Sequence, residues 1–135
     1  GSARDAFPGL HWEVMNVVQT PAATIVHDAT VFREDIGPYD LIICTEVLEH
    51  VKEWPKIIHH AARWLHVGGY LMITAAAPGR PPHSGIKQSS KLEPGEWYQN
   101  ISAGNLVSKL ILANFDVLIG EQNGFDVQAL ARTRK

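Results

Sequence analysis

Two carboxylates and an imidazole that could carry chemistry stand close together in the segment Glu46-Val47-Leu48-Glu49-His50. If a helix begins here, the spacing i, i+3 and i+4 brings the three side chains toward one side. Oxygen and nitrogen atoms in that arrangement can transfer protons, and they can also bind a divalent cation. His83, in a stretch rich in proline, is a further histidine that could act as a base. The spacing alone leaves these roles open.

The segments around these residues alternate between strands and helices. Tyr39–Thr45 and Tyr70–Ala77 are nearly continuous apolar runs, which are typical of parallel strands covered on both faces. Between them, apolar residues at helical spacing predict a helix over 55–65, and Gly68-Gly69 is expected to end it with a tight turn. The strand–helix–strand order implies a right-handed parallel crossover.

Weaker signals precede and follow these buried strands. The stretches His11–Val17 and Thr24–His27 contain β-branched and aromatic residues between turn signals, so they predict two shorter strands. Residues 78–96 are rich in proline and glycine and predict a long irregular loop. A long loop at the end of a central strand is commonly a lid or a wall of a substrate site.

The C-terminal third predicts a helix and a hairpin. Ser102 is suited to cap a helix that carries apolar residues on one face over 106–113. Two alternating runs follow, Phe115–Glu121 and Phe125–Ala131. Asn123-Gly124 between them predicts a tight antiparallel turn, because the favoured turn needs positive φ at both central residues.

This order of elements predicts an α/β fold with a doubly wound, mostly parallel sheet that ends in an antiparallel hairpin. The 135 residues are 45% hydrophobic, which is enough for one domain over residues 1–135. The net charge of -2 gives no basic footprint for nucleic acid, and no apolar run approaches the roughly 20 residues of a membrane helix. Cys44 is the only cysteine and follows apolar residues, so a reduced thiol and a cytoplasmic location are expected.

Two sequence motifs resemble those of a known protein family. The segments YDLIICTEVLEHV (Tyr39–Val51) and LHVGGYLMIT (Leu65–Thr74), with His27-Asp28-Ala29 upstream and the terminal hairpin, resemble class I S-adenosylmethionine (SAM)-dependent methyltransferases. The resemblance implies an enzyme that uses SAM to methylate a small or medium-sized acceptor at oxygen or nitrogen. A NAD-dependent enzyme on a related sheet is disfavoured, because the hairpin does not belong to its fingerprint.

The resemblance also assigns cofactor-binding residues. Asp28 and the backbone N–H of Ala29 would contact the adenine, and Asn16 stands where the family has a carboxylate for the ribose hydroxyls. Thr45 and Glu46 would border the methionine part of the cofactor. The alternative is that Asp28 and Asn16 are only turn residues.

The resemblance makes His50 and His83 the candidate catalytic bases for removing a proton from the acceptor. Some methyltransferases with the E-x-x-E-H motif bind a metal, so a bound divalent cation remains an alternative. Metal-independent members carry the same motif widely, and there the glutamates and histidine orient the loop and cap the helix. No metal is therefore predicted.

The family pattern begins with a strand and a glycine-rich loop, and no segment before His11 supplies them. That strand would be the central one, between the strands predicted at His11–Val17 and Tyr39–Thr45. We expect a longer native protein; a strand donated by a partner or a second copy, or a rearranged sheet, are the alternatives. Without this strand the chain should bind SAM weakly or not at all, and a noncatalytic methyltransferase-like domain is the alternative function.

Overall fold

The strands of this protein form two separate sheets in a computed structural model that describes residues 3–87 and 89–134. The outermost residues of the predicted domain, 1–2 and 135, lie outside the described part. The helices are α1 (Ala3–Ala6), α2 (Trp54–Trp64) and α3 (Ala103–Leu112), with a 3-10 turn at Leu48–His50. The strands are β1 (Met15–Asn16), β2 (Ile25–Val26), β3 (Tyr39–Thr45), β4 (Leu65–Ala76), β5 (Phe115–Asn123) and β6 (Asp126–Thr133). No described helix is long and apolar enough to cross a membrane.

The first sheet pairs β1 with β2 in parallel, and the second has the order β3-β4-β6-β5. In the second sheet β3 and β4 are parallel, whereas β6 runs antiparallel to both β4 and β5. This architecture confirms the predicted α/β class and the C-terminal antiparallel hairpin. Within the described residues, β1 and β3 each have one edge without a neighbouring strand.

The core lies between one face of the larger sheet and the helices α2 and α3. Leu71, Ile73 and Ala75 of β4 point into this core and are fully or almost fully buried. The alternate residues Tyr70 and Met72 lie on the opposite face and are about two-fifths exposed. The strand is therefore apolar on both faces, as the continuous run predicts, but the described helices cover only one of them.

Helix α2 also holds the smaller sheet in place. Its Trp64 indole N–H donates to the Arg33 carbonyl at 2.9 Å, and the indole ring stacks on Phe32. A ring nitrogen of His60 lies 2.7 Å from the Ala29 carbonyl oxygen. The loop after β2 is thus fixed against the C-terminal half of α2.

The junction between α2 and β4 differs from the prediction. The strand begins at Leu65, directly after the helix, and Gly68-Gly69 lies within β4 instead of before it. The register shows why: Tyr39 pairs with Leu65, whereas Leu41 already pairs with Tyr70, so the glycines belong to a bulge. Gly68 has a φ of 76°, which a residue without Cβ adopts readily.

The hairpin turn is shifted by one residue from the predicted position. Asn123 pairs with Asp126, so the two central residues are Gly124 and Phe125. Of the two residues predicted to need positive φ, Asn123 and Gly124, only Gly124 has it, at 62°. The prediction of Asn123-Gly124 as the turn centre was wrong because Asn123 completes the last strand pair. The Ser102 cap is confirmed: its side chain accepts from the Asn105 backbone N–H at 3.1 Å.

Candidate functional site

A cavity of about 360 Å³ opens at the carboxyl end of β3. Ligands of open α/β sheets bind at this edge. Its lining combines groups from two segments, one after β3 and one after β4: Glu46, His50, Arg80, His83, Ser84 and Gly85. The structure therefore brings both predicted catalytic histidines and one predicted cofactor-binding residue to one site.

A sharp turn after β3 places the first of these groups. Glu46 has a φ of 56°, in the left-handed region, and its backbone N–H donates to the Thr74 carbonyl of β4 at 2.9 Å. The chain then enters the 3-10 turn, where Leu48 is fully buried in the core. A helix starting at Glu46 was the condition for grouping the side chains, but the turn excludes Glu46 and carries Glu49 and His50.

The long loop after β4 is held beside this turn by Glu96. This carboxylate accepts hydrogen bonds from the Ser84 hydroxyl at 2.8 Å, the Gly85 N–H at 2.6 Å and the Glu93 N–H at 3.0 Å. Burial opposes its charge, but the backbone donors of Glu93 and Gly85 outweigh that effect, and the pKa of Glu96 is lowered. An ionised Glu96 therefore fixes the segment that carries His83.

His50 and His83 meet edge to face, with ring centroids 4.8 Å apart, and Tyr98 packs against both rings. The His50 Nδ1 atom lies 3.9 Å from Glu96 Oε2. Burial, followed by the charge of His83, lowers the pKa of His50. A neutral imidazole at this position can accept a proton. Tyr98 thus packs against the two histidines that line the cavity.

Glu49 is the most unusual group of the site. Its side chain is fully buried, and neither carboxylate oxygen has a hydrogen-bond partner among the described residues. The Nε2 atoms of His83 and His50 lie 3.8 and 4.0 Å from Glu49 Oε1. Burial, followed by the neighbouring carboxyl group of Glu46, raises the pKa of Glu49 to about 7. Without a partner, this carboxyl group is held in an environment that disfavours its charge.

Arg80 is a member of the site that the sequence did not indicate. It donates through Nη1 to Glu46 Oε1 at 2.6 Å and to Asp126 Oδ1 at 2.9 Å. Burial opposes the charge of Glu46, but this guanidinium outweighs it and lowers the pKa of Glu46. Arg80 thereby ties the end of β3 to the start of β6. No spacing rule links positions 46, 80 and 126, so only the fold reveals the contact.

The remaining predicted cofactor residues lie at the ends of other strands. Asn16 ends β1, and Thr45 ends β3. Asp28 Oδ1 accepts from the backbone N–H of Thr30 at 2.9 Å and from its hydroxyl at 2.8 Å, and these bonds lower the pKa of Asp28. Asp28 therefore does cap a turn, while Oδ2 makes no hydrogen bond within the described chain. The Ala29 carbonyl contacts His60, and the cofactor roles of all these residues stay predictions.

Replacing Glu49 with glutamine should change how stability depends on pH. The folded chain holds a proton on Glu49 up to a pH of about 7, whereas the unfolded chain releases it near the ordinary value of 4.5. Stability should therefore fall as pH rises through this window. The parent should lose about 2–3 kcal/mol relative to Glu49→Gln between pH 5 and pH 8. Urea denaturation with a chelator present measures both profiles.

Glu53→Gln is the matched control for this measurement. The Glu53 side chain is 58% exposed and pairs with Lys56 at the surface. Its replacement should leave the pH profile parallel to that of the parent, because an exposed ion pair contributes little. A Glu49→Gln profile that also runs parallel to the parent would contradict the raised pKa.

Comparisons with known proteins identify the family and the fold. A family model described as a methyltransferase domain matches residues 9–128. No curated protein matches the chain. The solved structure of PigF with SAH is similar at 18% identity and a TM-score of 0.64, with 96% of this chain and 45% of PigF covered.

Two further structures share the fold. One is Burkholderia thailandensis 1,6-didemethyltoxoflavin-N1-methyltransferase with bound 1,6-didemethyltoxoflavin and S-adenosylhomocysteine. It is 12% identical at a TM-score of 0.66, and the similar region covers 90% of this chain and 60% of that enzyme. The [4+2]-cyclase SpnF is 17% identical at a TM-score of 0.57, and the similar region covers 79% of this chain and 55% of SpnF. The chain thus spans about half the length of PigF and SpnF. Identities this low establish the shared fold alone.

Proposed function

This chain belongs to the methyltransferase domain family, and we propose that it transfers a methyl group from SAM to a small or medium-sized acceptor, at oxygen or nitrogen. The family membership confirms the resemblance seen in the sequence. The observation that supports the proposal most is the pairing of His50 with His83 in a cavity at the carboxyl end of β3. Relatives of the same fold hold the demethylated product, S-adenosylhomocysteine (SAH).

Methyl transfer requires little covalent chemistry from the protein itself. A lone pair of the acceptor forms a bond to the methyl carbon while the carbon–sulfur bond breaks and its electron pair returns to sulfur. SAM supplies the methyl group and becomes SAH. The protein has to align the acceptor and remove its proton. His50, kept neutral by burial, and His83 beside it are positioned to accept that proton.

Residues present on this chain fit parts of the cofactor. Asp28 is exposed, and its free Oδ2 can accept from the adenine amino group while Oδ1 holds the turn. The Asn16 amide can accept from one ribose hydroxyl without the charge of a carboxylate, which favours weak binding. Thr45 and Glu46 end β3 beside the cavity, where the methionine part would lie.

The unpaired edges of β1 and β3 support a second element of the proposal. Each edge exposes N–H and C=O groups that a further strand would satisfy. A strand from the same polypeptide, from a partner or from a second copy of this chain would complete the sheet and the cofactor site. Sedimentation of the purified chain distinguishes a self-association that closes these edges from a monomer.

Titration with SAH, followed by the backbone amide signals of the chain, tests the cofactor assignment even if binding is weak. At millimolar SAH we expect shifts at residues 16, 28–29 and 45–46. Adenosine alone should move the signals at 16 and 28–29 and leave those at 45–46 in place. An absence of shifts at these positions would favour a noncatalytic domain.

A variant pair makes this test specific. Asp28→Asn keeps an oxygen for the Thr30 turn but removes the charge that faces the adenine amine, so SAH should bind several-fold more weakly. Asp35→Asn removes a carboxylate that is 66% exposed and bonded to Arg33, and it should leave binding unchanged. Equal affinities for the two variants would remove Asp28 from the site.

A further inference from the structure

We infer that Glu49, His50 and His83 form a binding site for a divalent first-row transition metal of the zinc type. Each residue offers one ligand atom, and the three atoms lie within 4.8 Å of one another. The cluster joins the 3-10 turn after β3 to the loop after β4, so the fold and not the local sequence assembles it. The inference departs from the metal-free arrangement that the sequence favours.

The distances suit an ion. Ligand atoms bound at about 2.0–2.2 Å from zinc can be no more than about 4.4 Å apart. The Nε2 atoms of His83 and His50 already lie 3.8 and 4.0 Å from the same oxygen, Glu49 Oε1. All three ligand atoms lie within 4.8 Å of one another, so a shift of at most about 0.4 Å brings the third separation within this limit.

Unsatisfied polar atoms point independently to a missing partner. Both carboxylate oxygens of Glu49 are buried and have no hydrogen bond among the described residues. A buried carboxylate costs several kcal/mol unless it is paired, and native folds rarely leave one unpaired. A cation beside Glu49 Oε1 offsets this cost, since the nearest arginine is engaged by Glu46 and Asp126.

A carboxylate lies beside one of the two histidines, on the side away from the proposed ion. His50 Nδ1 lies 3.9 Å from Glu96 Oε2, which is too long for a hydrogen bond, so Nε2 can face the ion while Nδ1 faces this carboxylate. Glu96 is itself fixed by the Ser84 hydroxyl and two backbone N–H groups. Gly85 is required here, because a Cβ would come within 2.9 Å of the His50 ring.

The donor set selects the class of metal. Two imidazoles and one carboxylate suit Zn²⁺, Co²⁺ or Fe²⁺, whereas Mg²⁺ and Ca²⁺ prefer oxygen ligands throughout. Three protein ligands leave a coordination position open, which is typical of catalytic sites. His50 and His83 line the cavity, so an acceptor in the cavity can reach that position.

A consequence for the reaction rests on the proposed methyl transfer, although metal binding itself does not. A hydroxyl acceptor bound to the ion would have a lowered pKa and would lose its proton to solvent. The resulting oxygen anion would form a bond to the methyl carbon while the carbon–sulfur bond of SAM breaks and its electron pair returns to sulfur. His50 and His83 would act as ligands instead of bases, and oxygen acceptors would be favoured over nitrogen.

Cobalt titration of the full chain, without a histidine tag and without SAM or SAH, tests the site. We expect visible absorption bands from bound Co²⁺, saturation at one ion per chain and displacement by Zn²⁺. Glu49→Gln and His83→Asn should each weaken Co²⁺ binding at least about tenfold. His59→Asn changes an exposed histidine on α2 and should bind Co²⁺ as the parent does.

The outcomes separate this inference from the proposed function. Absent bands, or equal Co²⁺ affinity for Glu49→Gln, His83→Asn and the parent, would overturn the metal site. The Glu49→Gln variant keeps the test valid, because glutamine has nearly the same size and removes a buried carboxylate that has no hydrogen bond among the described residues. The SAH titration, run with a chelator, answers the cofactor question independently.

Discussion

Replacing Gly37 with alanine is expected to lower the free energy of unfolding by about 3 kcal/mol or more. Gly37 has a φ of 81°, where a residue with a Cβ is strained. A Cβ at this position would also lie 2.5 Å from the carbonyl oxygen of Trp64, a backbone atom that cannot rotate away. The change would force apart β3 and the end of α2, and urea denaturation measures the loss.

Gly95→Ala provides the matched control. Gly95 has nearly the same φ, 79°, but a Cβ there meets no atom within 4 Å. Its replacement should cost only the conformational strain, about 1–2 kcal/mol. The difference between the variants therefore measures the clash with α2. Similar losses in the two variants would show that the contact between Gly37 and Trp64 relaxes cheaply.

The sequence predicted the buried elements well because burial leaves a local signature. Strand β3 has the predicted bounds, Tyr39–Thr45, but the prediction that it is covered on both faces was wrong, because β3 lies at the edge of the larger sheet and its residues are half-buried or exposed. Helix α2 occupies Trp54–Trp64, within a residue of the prediction, because one face packs on the sheet. The strand predicted at His11–Val17 is only two residues long in the structure, since β1 pairs with a single short neighbour.

The site was predictable only in part. The resemblance to the family indicated His50 and His83, and the fold brings their rings together, while their catalytic role stays a prediction. Glu96 and Arg80 were missed, because their roles depend on hydrogen bonds that cross the loop or join different strands. Such contacts have no period along the chain. The burial of Glu49 was likewise hidden, since alternation of polar and apolar residues does not apply within a 3-10 turn.

The uncovered face of the larger sheet and the unpaired edge of β3 could both be satisfied by one additional element. Leu41, Tyr70 and Met72 lie on this face next to the open edge of β3, and each is about two-fifths exposed. Adjacent exposed apolar residues on a sheet favour a covering element. A strand that fills the open edge brings its connecting segment toward this face, so one addition would satisfy both features.

Leu48→Ala is expected to be the second strongly destabilising change, with a loss of about 2–5 kcal/mol. Leu48 is fully buried in the core beneath the 3-10 turn, and its removal leaves a cavity between the turn and β4. The same side chain anchors the turn that carries Glu49 and His50. Urea denaturation measures the loss, and Co²⁺ affinity below the unfolding transition should fall as well.

Val47→Ala is the control that isolates the role of the anchor. Val47 precedes the same turn and is 38% exposed, so its truncation removes apolar atoms without opening a buried cavity. The expected loss is below about 1 kcal/mol, and Co²⁺ affinity should stay near that of the parent. If Leu48→Ala lost stability but bound Co²⁺ normally, the turn would be positioned by Glu96 and its loop instead. Coupled losses would show that one buried leucine connects the core of the fold to its chemistry.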